Sequence, residues 1–192
     1  MNDPYIDRSV LLTGAGGSIG SALANAIVEH RPRSLILLDH SECNLHQVEF
    51  ALSALPGSEA HVSILGDICD AALLSEIFDE HAPEAVIHAA AFKHVPLMEF
   101  NPIAAVQNNA LATNLLAQTA AMHGVSTFVM VSTDKAVNPH SVMGASKRLA
   151  ELRCCDGVPR AARCGPFGWE MFSRLTAAWF RNSSSKSRLA DL

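Results

Sequence analysis

A glycine-rich turn between an apolar, β-forming run and an apolar-periodic helix leaves this chain few folds to choose from. Ser9–Thr13 reads SVLLT, consistent with a buried strand, and runs directly into Gly14-Ala15-Gly16-Gly17-Ser18-Ile19-Gly20. Residues 22–28 follow as a helix. Gly14, Gly17 and Gly20 stand at three-residue spacing, with Ser18 and Ile19 filling the same turn. Such glycines permit a tight turn and let backbone N–H groups approach a pyrophosphate at a helix N-terminus. Glycines that only punctuate a turn would show the same spacing.

The rest of the chain keeps the strand–helix rhythm. Residues 34–38 (SLILL) read as a second buried strand ending at Asp39, about twenty residues past the glycines. A carboxylate there accepts both ribose hydroxyls of an adenosine and repels a 2′-phosphate, which favours NAD over NADP. Its alternative duty is to cap the helix expected over 41–55. His61–Leu65 (HVSIL) reads as the third strand, closed by Gly66, Asp67 and Ile68. Asp67 is placed to meet an adenine amino group or, equally, to cap the helix Ala71–His81. Ala85–His88 (AVIH) is the fourth strand, and Ala89, Ala90 and Ala91 after it let backbone and cofactor approach closely. Residues 92–99 (FKHVPLME) read as a loop, either a lid with Lys93 and His94 facing a phosphate or a solvated segment. A long helix is expected from Asn101-Pro102 through Met122, ended by His123-Gly124, before the fifth strand at 126–132. Strands alternating with helices imply an α/β fold, a doubly wound parallel sheet with ligands at the C-terminal strand ends.

Composition narrows the function classes. A 49% hydrophobic, 17% charged chain of 192 residues fits one globular domain, and a net charge of −5 without a basic stripe argues against a nucleic-acid partner. The opening MNDPYIDRS lacks the regions of a signal peptide, and no apolar run approaches the roughly 18 residues of a membrane span. The cysteines form no C-x-x-C pair, so neither a zinc site nor a disulfide framework is expected, and a reducing cytoplasm is the simplest setting.

Chemistry-bearing residues gather beyond the fifth strand. Thr133, Asp134 and Lys135 stand in a row, and Lys147 lies in the next helix, which Ser146-Lys147-Arg148 begin or extend. A carboxylate flanked by a hydroxyl and an amine suits proton transfer beside a bound ligand. Many NAD enzymes of this architecture place a Tyr-x-x-x-Lys pair here. This chain has Met143 in the tyrosine slot, and its only tyrosine is Tyr5. Methionine exchanges no proton, so acid/base work would fall to Asp134, Lys135, Lys147 and Thr133. The plainer alternative makes Lys135 and Lys147 surface ion pairs and Asp134 a turn cap.

The blocks TGAGGSIG (13–20), LDHSE (38–42), GDI (66–68), HAAAFKHVPLME (88–99), Asn109, STDKAVNP (132–139) and MGASKRLAE (143–151) resemble one family. It is the polysaccharide-biosynthesis (CapD-like) branch of the extended short-chain dehydrogenase/reductases, and within it the UDP-N-acetylglucosamine 4,6-dehydratases. The resemblance implies a Rossmann-type NAD-binding domain over 1–152. Its cofactor contacts would fall at Gly14, Gly17, Ser18, Ile19, Gly20, Asp39, Asp67, Ile68, Ala89, Ala90, Lys93, Asn109 and Lys147. It also implies a nucleotide-sugar substrate, UDP-N-acetylglucosamine or similar. In that family bound NAD takes a hydride from C4 of the sugar, water is lost across C5 and C6, and the hydride returns to C6. By resemblance, Asp134 would be the acid for the C6 hydroxyl and Lys135 the base at C5. Thr133 would hydrogen-bond the C4 hydroxyl, and Lys147 would orient the nicotinamide ribose. The missing tyrosine resembles the longer, membrane-tethered members, although this chain holds no span.

The matched blocks end near Leu152. Residues 153–192, rich in Arg, Ser and Cys, are expected to be a non-family tail, disordered at 183–187 and with a short helix around 170–180. A changed reading frame would account for it, because the codons for Trp169-Glu170-Met171 read two bases later can encode Gly-Asn and then Val, as the family carries. The expectation is a truncated chain lacking its C-terminal substrate domain. The sheet edge so exposed would invite another chain, a homo-oligomer included. Three readings follow: a nucleotide-sugar dehydratase or related epimerase, a non-catalytic NAD-binding remnant, and a NAD-sensing interaction partner.

Overall fold

Apolar runs without alternation belong in strands buried on both faces, the setting of a central parallel sheet. β1 (Ser9–Thr13) and β4 (Ala85–His88) are buried at every position, and β2 (Ser34–Asp39) at all but its first. The computed structural model describes residues 5–55 and 60–157. In it these strands pair in parallel with β3 (His61–Leu65) and β5 (Thr127–Met130), in the order β3-β2-β1-β4-β5. The register sets Thr13 level with Leu38 on one side and His88 on the other. The chain winds outward from β1 to β3, then returns to β1's other side for β4 and β5. The topological switch point therefore lies between β1 and β4.

Neighbouring strand residues point to opposite faces, so the sheet separates two apolar cores. On one face Val10, Leu12 and Leu37 pack with Leu23, Ile27, Leu45 and Leu52 of α1 (Ser18–Glu29) and α2 (Glu42–Ser53). On the other, Leu11, Ile36 and Val86 pack with Leu74, Phe78, Leu116 and Ala150 of α3 (Ala71–His81), α6 (Ala112–Met122) and α7 (Val142–Gly157). Each fully buried leucine or isoleucine contributes roughly 2 kcal/mol.

β1, β3, β4 and α3 stand at their expected bounds, and the remaining elements differ in instructive ways. α1 starts at Ser18, inside the glycine turn, and not at residue 22. The cap of α2 is Ser41, whose hydroxyl accepts from the Asn44 N–H, so Asp39 does not cap that helix. Likewise Asp70, not Asp67, caps α3. β5 is shorter than 126–132 because Ser126 turns its N–H and hydroxyl to the Glu84 carbonyl. The 92–99 loop is half helical: α4 (Val95–Phe100) holds Pro96 in its first turn, where a missing N–H is harmless. The long helix expected through Met122 is α5 (Pro102–Val106), a π turn (Gln107–Leu111) and α6 in direct succession. α7 begins at Val142, ahead of Ser146, and continues past Leu152 to Gly157. The helix expected around 170–180 and the disorder expected at 183–187 lie outside the described residues.

Candidate functional site

Where β1 ends, the chain must turn away within a few ångströms of the β4 exit. Gly14 makes that turn at φ +69°, and a Cβ there would stand 2.5 Å from the Ala90 nitrogen. Both the conformation and the space demand glycine. The turn is pinned to β2 by Asp39, which is buried: one carboxylate oxygen accepts from the Gly16 N–H at 2.8 Å and the other from Ser41 N–H at 2.9 Å.

A cleft runs along these strand ends. Gly14, Gly17, Asp39, Gly66, Asp67, Ile68 and Ala90 line one end. The other end, about 530 Å³, is lined by Ser18, Ile19, Lys93, His94, Thr133, Lys135, Met143 and Lys147 among others. Ala89, Ala91 and Phe92 border both ends, so the two form one trough across the switch point. Gly20 lines a further recess beside it with Lys93. Two of the expected site residues, Asp134 and Asn109, line none of these walls.

Asp134 faces solvent with its side chain 89% exposed. It accepts from the Thr133 hydroxyl at 3.0 Å and the Lys135 N–H at 2.9 Å, and the Lys135 ammonium stands 3.7 Å away. The Thr133 hydroxyl, then the Lys135 charge, hold its carboxyl below the ordinary range. Thr133 caps the short 3₁₀ turn Asp134–Ala136. The exposed Asp134–Lys135 pair matches the plain alternative of a surface ion pair, which is worth little in stability.

Lys147 does not fit that alternative. It is 5% exposed, and its ammonium donates to the Val131 carbonyl at 2.8 Å. Burial pushes its pKa down to about 8, opposed by the negative charge of Glu151 one turn along the helix.

Asn109 works from below the cleft. Its carbonyl oxygen accepts from the Phe92 N–H at 2.8 Å and the Asn108 amide at 3.0 Å. Its NH₂ donates to the Phe92 carbonyl at 3.0 Å and the Ser146 hydroxyl at 2.9 Å. All four hydrogen-bonding capacities of the buried amide are thus filled. It fixes the backbone of Phe92, a residue of the cleft wall, and ties it to α7.

The same polar thread continues through the sheet. Thr113 donates its one hydroxyl proton to the Asn109 carbonyl at 2.7 Å, so toward His88 Nε2, at 2.8 Å, it can only accept. His88 is therefore the Nε2–H tautomer, and its bare Nδ1 accepts from the Thr13 hydroxyl at 2.7 Å. Burial, then the Lys147 charge, push its pKa down to about 3. Sequence reasoning passed over His88, Thr113, Ser146 and Glu151. The available signal was a histidine inside an otherwise apolar strand, AVIH.

Among the described residues no cluster of His, Cys, Asp or Glu is placed to hold a metal ion. No helix among them is long and apolar enough to cross a membrane.

With this geometry in hand, likeness to known proteins is informative. The family described as polysaccharide biosynthesis protein matches residues 10–162, past the Leu152 at which the sequence blocks end. The chain is 46% identical over 147 residues to the capsular polysaccharide biosynthesis protein CapD of Staphylococcus aureus, covering 76% of this chain and 24% of that protein. It is 31% identical to the UDP-N-acetylglucosamine 4,6-dehydratase (inverting) of Campylobacter jejuni, over 73% of this chain and 40% of that one. Among solved structures, DesIV, a dTDP-glucose 4,6-dehydratase from Streptomyces venezuelae crystallised with NAD, superimposes at a TM-score of 0.65 with 28% identity. That match covers 76% of this chain and 50% of that one. The chain thus spans a quarter to a half of the length of these proteins. From the glycine turn through α7, the chain belongs to the polysaccharide biosynthesis protein family, a CapD-like branch of the short-chain dehydrogenase/reductases.

Proposed function

We propose that this chain carries the NAD-binding and proton-transfer portion of a nucleotide-sugar 4,6-dehydratase, acting on UDP-N-acetylglucosamine or a similar sugar nucleotide in polysaccharide or glycan biosynthesis. The observation that supports it most is the single trough joining the glycine turn to Thr133, Lys135 and Lys147 across the switch point.

The walls fit a dinucleotide. A close approach that a Cβ would fill at Gly14, and an α1 that opens at Ser18 beside Ile19, suit a pyrophosphate. Each Asp39 oxygen keeps a lone pair for a ribose hydroxyl, and its charge opposes a 2′-phosphate, which supports NAD over NADP. Asp67 and Ile68 would border the adenine, Ala89 and Ala90 the dinucleotide's midsection, and Lys93 a phosphate. Lys147 would hold the nicotinamide ribose, and Asn109 would act through the Phe92 backbone. NAD, when bound, supplies the acceptance and return of a hydride.

The chain's own residues handle protons. Thr133 would hydrogen-bond the sugar C4 hydroxyl, and Lys135 would first pass an ammonium proton to Asp134, 3.7 Å away, and then as the free amine take the C5 proton from its place on the wall. Asp134 is ionised in solvent, so it must acquire the proton it gives to the departing C6 hydroxyl. A sugar covering it removes that solvent and raises its pKa in the required direction.

Incubation with NAD and UDP-N-acetylglucosamine, followed by mass spectrometry, tests the reading through the loss of one water. Asp134→Asn and Lys135→Ala should each slow turnover by about a hundredfold or more. Near-normal rates in both variants sink these roles. NAD bound without loss of water selects the non-catalytic remnant instead. Inversion at C4 without loss of water selects an epimerase.

A further inference from the structure

Residues 144, 147 and 151 follow one another along a single face of α7, and each meets the chain that leaves β5. Gly144 lies so close that a Cβ on it would stand 2.5 Å from the Lys135 carbonyl oxygen. Lys147 donates to the Val131 carbonyl at 2.8 Å. Glu151, 8% exposed, accepts from the Ser132 hydroxyl at 2.5 Å and from the Arg148 guanidinium at 2.8 Å. One helix face therefore grips both ends of the turn that carries Thr133, Asp134 and Lys135.

We propose that Glu151 is a positioning residue of this site: its buried carboxylate locks the Ser132 end of the turn against α7 and supplies the negative charge that keeps Lys147 a cationic donor. The inference deepens the NAD-dehydratase reading and rests on it for the role of Lys147. Among the described residues, the titratable and charged groups around Lys147 are Glu151, the Arg148 paired with it and Cys154 on its own helix, His88 on β4, and Lys93, His94 and Lys135 on the walls of the cavity. Glu151 is the one carboxylate among them. A buried ammonium needs such an anion, because burial alone favours its neutral form. With Lys147 held near 8, loss of the anion would carry it into neutrality within the working pH range.

Two variants separate the parts. Glu151→Gln keeps an acceptor for the Ser132 hydroxyl and removes the charge; Ser132→Ala removes that hydrogen bond and leaves the charge. In the unliganded chain, ¹⁵Nζ NMR of Lys147 should show its midpoint lowered by about one pH unit in Glu151→Gln and unmoved in Ser132→Ala. Ser132→Ala should instead shift the amide resonances of Thr133, Asp134 and Lys135. NAD affinity of Glu151→Gln should fall about fivefold at pH 8 and return to the wild-type value at pH 6, where Lys147 is protonated regardless. An unmoved Lys147 midpoint, or an affinity loss equal at both pH values, overturns the proposal. If Glu151→Gln does not fold, Glu151→Asp, which keeps the charge, must retain the wild-type midpoint, and a lowered one overturns it. If the wild-type chain binds no NAD, the functional reading fails, while the midpoint still decides the role of Glu151.

Discussion

Lys147 is an ammonium kept where water would ordinarily be required. Its pKa stands near 8 against 10.5 in an open chain, so between those values the unfolded state binds more protons than the folded one. Stability therefore rises with pH through that window, and below pH 8 the burial cost is fully present, on the order of 3 kcal/mol. Lys147→Met removes the titrating group and fills the same space. The wild type should gain stability on this variant as pH rises from 7.5 to 10, by about 2 kcal/mol in urea unfolding. A flat difference would mean that Lys147 is solvated. Cys69, which burial and then the Asp67 carboxylate push up to about 11, contributes the opposite slope in both proteins and cancels in the comparison.

At the level of elements, the π turn is the device that aims Asn109 downward into its four hydrogen bonds. Asn109→Leu keeps the volume but leaves the Phe92 N–H and carbonyl without their partner, while the Ser146 hydroxyl keeps only its bond to the Met143 carbonyl. It should cost about 3 kcal/mol or more and speed hydrogen exchange at the Phe92 amide. Unchanged exchange there would show that the cleft wall does not depend on the clamp. The resemblance pointed to Asn109, but neither the π turn nor its hydrogen-bond partners were legible in the sequence. β1, β3, β4 and α3 could be read to the residue because apolar runs and glycine, proline or aspartate boundaries are local signals. The polar thread joins residues 75, 25, 17 and 37 positions apart, and no local pattern encodes such pairs. The π turn is hidden for another reason: its residues, QNNAL, suit an α-helix as well. The site was half legible. Lys135, Thr133 and Lys147 line the trough, whereas Asp134 stands outside its wall and Glu151 went unread.

For the whole molecule, the buried neutral His88 sets how the fold responds to acid. Its pKa is near 3 against 6.5 in an open chain, so as pH falls below 6.5 the unfolded state takes up a proton that the folded state refuses. Stability should drop by on the order of 3 kcal/mol between pH 6.5 and 4, and His88→Gln, which cannot titrate, should flatten that part of the curve. Urea unfolding across the range checks it, with equal slopes in both proteins as the contrary result. The seam between β1 and β4 has a different consequence. Everything up to β3 and α3 is built from the first part of the chain, everything beyond from the second, and the sheet joins them where Val10–Thr13 pair with Ala85–His88. A ligand lying in the trough touches both parts at once. It is a non-covalent staple, and each tenfold of concentration above its Kd adds about 1.4 kcal/mol to holding the halves together.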